Sequence, residues 1–236
     1  MASKRFEKAA ALVDQQTAYP IDRAVTILKD MPPVKFDETV EISASLNLDP
    51  KKTDQIVRGT VTLPHGTGKT RKVLVFCKGE QELLARNAGA DYIGGAEFIE
   101  KIQGGWLEFD VVVATPEMMR DVSKLGKILG PRGLMPNPKA GTVTDDVAKA
   151  IQELRLGKVE FKMDKLANIH FVIGKRSFQP QQLTENGRVA VQAIVRARPS
   201  TVKGRLISRL SLSSTMSPGI PVSAEGFEDE TQREEV

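Results

Sequence analysis

The order in which strand-like and helix-like patterns follow one another constrains this fold most. Near both ends of the chain apolar residues alternate with polar ones, as they do between Val40 and Leu48, and this is typical of antiparallel strands with one buried face. Between about residues 73 and 155, short apolar runs alternate with helical patterns instead. A series of strand–helix–strand units requires a parallel sheet covered by helices. The pattern therefore predicts an α/β domain inserted into an α+β domain that both chain ends form.

The predicted elements follow from the same periodicities. Strands are predicted at residues 40–48, 56–63, 73–77, 91–93, 111–114, 158–163, 169–173 and 204–213, with 158–163 and 169–173 expected to pair with each other. Helices are predicted at residues 6–13, 21–28, 80–88, 96–102, 144–155 and 180–197, and a further one starts at residue 116.

Glycine-containing segments at residues 66–69 and 156–158 are the predicted crossings between the two domains. The outer domain would comprise residues 1–67 and 158–222, and the inserted domain residues 68–157. Residues 223–236 would form an acidic disordered tail. One continuous mixed sheet is the alternative that the pattern leaves open.

Charge is separated along the chain more strongly than the net value of +4 suggests. Residues 220–236 hold six acidic side chains against Arg233 alone, a net charge of −5, so the rest of the chain carries +9. The densest basic stretch, residues 51–72, holds six Lys and Arg side chains against the single Asp54. A basic body with clustered cations predicts a polyanionic partner.

The composition argues against membrane-bound, secreted and metal-dependent proteins. No run approaches the ~20 apolar residues of a membrane span, and the first residues are charged instead of forming a signal core. A cytoplasmic protein without a membrane partner is therefore expected. The single cysteine, Cys77, lies in an apolar run and is predicted to be buried. Since His65 and His170 are the two histidines, neither a zinc site nor a Cys–His catalytic pair has enough members, and no metal or cofactor is predicted.

Two motifs resemble nucleotide sites without meeting their requirements. Residues 66–70 read Gly-Thr-Gly-Lys-Thr, but a P-loop needs a glycine where Leu63 stands, and it must open a helix instead of preceding a strand. A dinucleotide fingerprint would need three glycines where Gly79 stands alone. Helix capping explains the acidic pair Asp145 and Asp146 better than acid–base chemistry does. The chain is therefore predicted not to be an enzyme.

The run from residue 126 to residue 142 is too rich in Gly and Pro for a core element and too basic for a plain connector. It could be a rigid surface turn, or a preformed loop that offers backbone N–H groups, Arg132 and Lys139 to phosphate. Composition alone leaves both interpretations open.

Five motifs in this chain resemble the bacterial ribosomal protein L1 family and occur in that family's order. They are KFDETVE at residues 35–41, VRG at 57–59, LPHGTGK at 63–69, the run at 126–142 and STM at 214–216. The resemblance spans roughly residues 4–222. Several long motifs in register are far more specific than any short pattern.

The resemblance implies a split α+β sandwich formed by both chain ends and an inserted Rossmann-like, three-layer α/β domain. It also implies a non-enzymatic constituent of the large ribosomal subunit that binds ribosomal RNA and forms the mobile stalk beside the exit site. Such a protein assists release of deacylated tRNA from that site, and in many bacteria it represses its own operon by binding the operon mRNA. A nucleotide-using enzyme and a free-standing repressor outside the ribosome are the competing functions.

The resemblance also implies which residues contact RNA. The residues expected to bind ribosomal RNA are Lys4, Arg5, Phe36, Glu38, Thr39, Lys175, Arg176, Ser177, Thr215, Met216, Ser217 and Gly219. Apolar side chains would pack against sugars or bases, and hydroxyls would bond a 2′-OH. Without the resemblance, simple packing at strand ends would be the better explanation of Phe36 and Met216. The family usually has glycine where Ser217 stands, which puts a close backbone approach in doubt.

For tRNA, the resemblance points to two basic turns. The residues expected to bind tRNA are Lys51, Lys52, Arg58, Lys162 and Lys165. A solvated basic face is the alternative. Relatives commonly carry arginine where Lys51 and Lys52 stand, so charge remains without the stacking that guanidinium planes provide. Trp106 is expected to pack in the core or at the hinge instead of offering a platform to a base.

Overall fold

A computed structural model describes residues 3–199, 202, 204–225 and 227. The chain divides into two compact units: an outer unit, Met1–Gly68 with Gly157–Val236, and an inserted unit, Lys69–Leu156. No helix within the described ranges combines the length and apolar character that crossing a bilayer requires.

The helices and strands follow the predicted order along the chain. The helices are α1 (Lys4–Ala10), α2 (Ile21–Asp30), α3 (Glu80–Asn87), α4 (Ala96–Gln103), α5 (Met119–Val122), α6 (Gly126–Leu129), α7 (Val147–Arg155) and α8 (Pro180–Arg196). The strands are β1 (Thr39–Leu46), β2 (Arg58–Thr62), β3 (Val73–Phe76), β4 (Tyr92–Gly94), β5 (Val111–Ala114), β6 (Lys158–Lys162), β7 (Asn168–Lys175), β8 (Ile207–Ser214) and β9 (Ile220–Val222). Short 3-10 turns lie at Thr53–Gln55, Pro116–Met118, Ser123–Leu125 and Pro138–Ala140.

The outer unit is built on a four-stranded antiparallel sheet in the order β7-β1-β8-β9, with β2 and β6 forming a separate pair. Strand β1 alternates half-buried and buried residues along its whole length, so its buried residues face one core. The apolar faces of α2 and α8, including Leu28 and Val191, pack into the same core. The opposite face of the sheet carries the polar residues of the alternation.

The inserted unit has a three-stranded parallel sheet in the order β4-β3-β5. Leu74 and Phe76 pack into one apolar cluster, and Val73 and Val75 pack into a second, so the sheet is covered on both faces. This arrangement confirms the predicted α+β and α/β classes and explains why β3 reads as a continuous apolar run.

Single residues of the inserted unit agree with the sequence analysis. Cys77 is buried, as predicted. Trp106 packs edge-on against Tyr92, with ring centroids 4.9 Å apart, and it contributes to the core. Asp146 caps α7, because its side chain accepts a hydrogen bond from the backbone N–H of Lys149 at 3.1 Å.

One prediction about the strands was wrong, and one strand was not predicted. The segments 158–163 and 169–173 do not pair with each other: β6 pairs with β2, and β7 pairs with β1. Strand β9 was not predicted, because it has three residues with Pro221 at its centre. Proline is tolerated there because β9 is the last strand of the sheet and its outer side pairs with the single residue Tyr19, whose N–H donates to the carbonyl of Pro221.

Candidate RNA interface

A completely buried carboxylate lies beneath the first predicted RNA-binding surface. Glu38 has no exposed side-chain surface, and Arg176 is 14% exposed; their Oε2 and Nη1 atoms lie 2.5 Å apart. A carboxylate without water is stable only when it is paired and hydrogen-bonded. Arg176 satisfies that requirement and also donates to the backbone carbonyl groups of Met31 and Pro32.

The other oxygen of Glu38 fixes the turn that follows β8. Its Oε1 atom accepts a hydrogen bond from the backbone N–H of Met216 at 3.1 Å. Thr215 is bound to the start of β1, because its N–H donates to the carbonyl of Thr39 at 3.1 Å and its Oγ1 accepts from the N–H of Thr39 at 3.0 Å. We call Glu38, Thr39, Arg176, Thr215 and Met216 the Glu38 network.

Two large apolar side chains next to this network are exposed to solvent. Phe36 is 54% exposed and Met216 is 50% exposed. Both have backbones close to or within the Glu38 network, so these side chains project from an ordered support. An exposed aromatic ring and a thioether on a fixed support suit contact with a sugar or base.

Polar residues around the network are held by hydrogen bonds as well. Lys175 donates from Nζ to Oγ1 of Thr39 at 2.8 Å, and Ser177 bonds the side chain of Asp37 through both its N–H (3.0 Å) and its hydroxyl (2.8 Å). Arg5 donates to the carbonyl of Met216 at 2.5 Å. The structure thus brings most of the predicted ribosomal RNA residues into one hydrogen-bonded region.

Two predicted residues lie at its margin. Lys4 is exposed at the first position of α1. Gly219 is exposed beyond the turn, where its carbonyl accepts a hydrogen bond from Gln15 at 3.0 Å.

The role expected of Glu38 changes because of its burial. A side chain with no exposed surface cannot itself touch an RNA in this conformation, so the prediction of a direct contact is corrected to one of support. Arg176 shares that buried pair, although part of its side chain remains exposed.

Ser217 fits its position without backbone strain. Its hydroxyl accepts a hydrogen bond from the N–H of Ser214 at 2.8 Å, which closes the turn. Among the described residues other than glycine, a positive φ occurs at Ala167 and not at Ser217. The serine therefore stabilises this turn.

Sequence reasoning missed Lys29 and Asp37 as parts of the support. Lys29 donates from Nζ to the backbone carbonyls of Arg176 and Phe178. Burial lowers the pKa of Lys29, and the charge of Arg176 lowers it further. Asp37 lies inside the KFDETVE motif and could have been found there, whereas nothing in the sequence distinguishes Lys29 from a surface lysine.

The five residues predicted to bind tRNA also lie close together. Arg58 and Lys162 are directly opposite each other on β2 and β6, and both are exposed. Lys162 and Lys165 line one depression with Pro50, the residue before Lys51. We call Lys51, Lys52, Arg58, Lys162 and Lys165 the basic cluster. Arg58 and Lys162 are thus like charges placed directly opposite each other, which is ordinarily destabilising on a strand pair.

Both turns that carry the basic cluster are fixed by an aspartate. Asp49 accepts hydrogen bonds from the N–H of Lys51 at 3.0 Å through its side chain and from the N–H of Lys52 at 3.1 Å through its carbonyl. Asp164 accepts from the N–H groups of Leu166 and Asn168, each at 2.8 Å. These bonds, first that from Asn168, lower the pKa of Asp164. The exposed apolar side chains Ile56 and Leu166 next to these turns were not predicted.

The Gly- and Pro-rich run lies in the inserted unit; it begins as helix α6, with Leu129 buried, and continues through hydrogen-bonded turns. The N–H of Gly133 donates to Gly130 at 3.0 Å, and the N–H of Asn137 donates to Oγ1 of Thr142 at 2.8 Å. Arg132 is exposed, whereas the side chain of Lys139 lies outside the described part of the structure. These bonds favour the rigid turn, and phosphate binding by Arg132 and Lys139 stays a prediction.

Within the ranges that the structure describes, no group of three or more His, Cys, Asp or Glu side chains could hold a metal ion. The described part of the predicted tail begins against the outer unit: Arg205 and Glu225 form an ion pair at 3.1 Å, and Phe227 packs against the core. The remainder of the predicted tail, residues 226 and 228–236, lies outside the described residues.

Comparison with known proteins agrees with the resemblance found in the motifs. The model of the Ribosomal protein L1p/L10e family matches residues 28–218. Three similar proteins carry the name Large ribosomal subunit protein uL1. The protein of Protochlamydia amoebophila is 57% identical over 220 residues, which cover 93% of each chain. That of Thermobifida fusca is 54% identical over 93% of this chain and 94% of its own, and that of Bifidobacterium longum is 53% identical over 93% and 96%. With a family match across most of its length and relatives of this identity, the chain belongs to the Ribosomal protein L1p/L10e family.

Proposed function

We propose that this chain is a non-enzymatic constituent of the large ribosomal subunit and binds ribosomal RNA through the surface above the Glu38 network. The observation that carries the proposal is the exposure of Phe36 and Met216 beside a completely buried ion pair. Desolvating an ion pair has a cost in stability, so a completely buried pair beneath an exposed apolar surface supports a functional role for that surface. The names of the relatives supply the class of partner.

The chemistry of the surface suits folded RNA. Such RNA is recognised by shape, by 2′-hydroxyls and by phosphates more than by groove edges. Phe36 and Met216 offer apolar contacts, Thr215 and Ser177 offer hydroxyls, and Lys175 offers positive charge. Hydrogen bonds already hold the side chains of Thr215, Ser177 and Lys175 in place, so these three lose little conformational entropy on binding.

We further propose that the basic cluster contacts tRNA at the exit site, as part of a mobile stalk that assists release of deacylated tRNA. Five exposed cations, three on the two aspartate-fixed turns and two at the adjoining ends of β2 and β6, attract a phosphate backbone without reading its sequence. The adjoining Ile56 and Leu166 add apolar surface at the same place. The Glu38 network lies at the start of β1 and the end of β7, and the basic cluster lies beyond the other ends of these strands, which would allow one protein to hold both RNAs.

Repression of the protein's own operon would use the ribosomal RNA surface a second time. An operon mRNA that presents a similar folded shape would compete for Phe36 and Met216. Competition between a labelled ribosomal RNA fragment and the operon leader RNA tests this, because a shared surface requires mutual exclusion.

Sedimentation of ribosomes through a high-salt cushion tests the ribosomal role. A resident subunit protein sediments with the large subunit, whereas a free-standing repressor remains in the supernatant. Saturable binding of ATP or GTP by the purified protein, lost in Lys69→Ala, would instead support the competing enzymatic function.

A further inference from the structure

A shallow depression lies among the residues of the basic cluster. The residues that line it are Pro50, Ile56, Lys162, Met163, Asp164 and Lys165, and we call it the Ile56 depression. Its volume of about 460 Å³ falls in the range of about 300–1,000 Å³ that sites for small organic groups occupy. Contact between a cation and a phosphate needs no depression, so its presence calls for a ligand group other than phosphate.

One side of the depression is apolar. Ile56 is 42% exposed, although isoleucine is among the residues most often buried, and Met163 lies beneath with 5% exposure. Pro50 adds further apolar surface. Leu166, on the turn that carries Asp164, is 77% exposed. Apolar side chains of this kind can pack against the flat face of an unstacked base.

Hydrogen bonds hold the walls of the depression in place. The N–H of Met163 donates to the carbonyl of Val57 at 2.9 Å, which joins its two sides. The N–H of Asp49 donates to Oε1 of Gln55 at 2.8 Å, which closes the turn before Ile56. A preformed shape reduces the entropy lost when a ligand enters.

One carboxylate oxygen of Asp164 keeps the capacity to accept hydrogen bonds. Its Oδ1 atom accepts from the N–H groups of Leu166 and Asn168, each at 2.8 Å. Its Oδ2 atom accepts from Nδ2 of Asn168 at 3.4 Å, longer than the usual range of about 2.7–3.2 Å. An ionised carboxylate has about four acceptor positions and donates nothing. Oδ2 can therefore accept hydrogen bonds from a ligand.

A carboxylate between two lysines matches guanine better than the other bases. Guanine carries two adjacent N–H donors, on N1 and N2, beside its O6 acceptor. Adenine and cytosine place a ring acceptor next to the amino group, and uracil places a carbonyl on each side of its single N–H, so a carboxylate repels part of each edge. Asp164 can accept from the donors of guanine, and Lys162 or Lys165 can donate to O6.

We propose that the Ile56 depression binds one unpaired guanine of the RNA that the basic cluster contacts. The base lies against Ile56 and Pro50, Asp164 accepts from its N–H donors, and the neighbouring phosphates bind the cations of the cluster. The proposal rests on the proposed RNA contact of the basic cluster and adds a base preference to it. Phosphate contacts position an RNA without reading its sequence, whereas contacts to base edges discriminate between bases.

Two short oligo(U) RNAs test the base preference, one with a central guanine and the other with a central adenine. Their charge is equal, and the unaltered full chain should bind the guanine RNA roughly fivefold or more tightly, the lower range for a good contact to a base edge. Asp164→Asn should abolish this preference. Its side-chain carbonyl can still accept from the N–H groups of Leu166 and Asn168, while its amide presents a donor to the base.

Glu160→Gln is the matched control for Asp164→Asn. It removes the same charge from an exposed position of β6 and should retain the preference for guanine. Equal affinity of the unaltered chain for the two RNAs would overturn the proposal. A preference that persists in Asp164→Asn, or that disappears equally in Glu160→Gln, would also overturn it.

Methyl NMR locates the contact, and a lysine variant separates it from the proposed function. The guanine RNA should shift the methyl signals of Ile56 and Met163 and leave that of the exposed Leu83 in place; unshifted Ile56 and Met163 signals at saturation would contradict the site. Replacing Lys51 and Lys52 with alanine should weaken both RNAs equally and keep the preference. If the replacement weakens binding but the unaltered chain shows no preference, the guanine site alone fails. If the replacement changes neither affinity, the proposed RNA contact of the basic cluster fails.

Discussion

The completely buried side chain of Glu38 lies 3.1 Å from the backbone nitrogen of Met216, whose own side chain is half exposed. A buried charge thus holds the residue proposed to touch RNA. The same carboxylate binds Arg176, which lies 138 positions away in the sequence, so the two segments of the outer unit meet at the proposed surface. Stability and RNA binding are therefore coupled at this point.

Glu38→Ala should strongly destabilise the outer unit. The change leaves the guanidinium of Arg176 buried without its partner, and losing one member of a buried pair typically costs about 3–5 kcal/mol. Chemical denaturation measures the free energy of unfolding. Asp22→Ala is the matched control, since its exposed pair with Arg188 should contribute less than about 1 kcal/mol. Equal effects of the two changes would contradict the structural role of Glu38.

Met216→Ala and Phe36→Ala should separate binding from stability. Both side chains are about half exposed, so we expect unfolding free energies within about 0.5 kcal/mol of the unaltered protein. Binding of the ribosomal RNA fragment should weaken by about 1–3 kcal/mol per change, with little effect on its salt dependence. The exposed Leu83 of the inserted unit provides a control, since Leu83→Ala should change neither quantity.

Replacing Lys51 and Lys52 with alanine should change tRNA association through the loss of charge alone. The slope of log K against log salt should fall by up to roughly one for each phosphate that the variant no longer neutralises, while ribosomal RNA affinity stays nearly constant. Replacing the exposed Lys78 and Arg86 with alanine removes the same charge from the inserted unit and should leave the tRNA slope unchanged. Loss of ribosomal RNA affinity in the Lys51 and Lys52 variant would refute the assignment of the two surfaces.

Cys77 should make stability fall at alkaline pH. Burial raises the pKa of its thiol from the ordinary 9.0 to about 11, so between these values the unfolded chain has lost a proton that the folded chain retains. Fewer protons bound in the unfolded state mean that the unfolding free energy decreases as pH rises from 9.0 toward about 11. Cys77→Ala should show a shallower decrease in this window. An identical pH profile for both proteins would show that the thiol does not contribute.

The sequence predicted those parts of the structure that depend on local periodicity. The alternation in β1 and the apolar run of β3 identified two kinds of sheet, because side-chain period and burial are linked along a strand. It did not reveal the burial of Glu38, since glutamate is ordinarily exposed and the partners that stabilise it come from distant segments. Strand β9 was not predicted because three residues around a proline show no periodicity. The resemblance supplied the candidate site residues. The structure was needed to distinguish the residues that support the surface from those that are exposed on it.

Hydrogen exchange of the full chain with and without the ribosomal RNA fragment tests the central claim most directly. The RNA should slow exchange in peptides that cover residues 36–39, 175–177 and 215–219, and leave residues 80–103 of the inserted unit unchanged. Saturable binding of the fragment with protection confined to residues 69–156 would contradict the proposed interface.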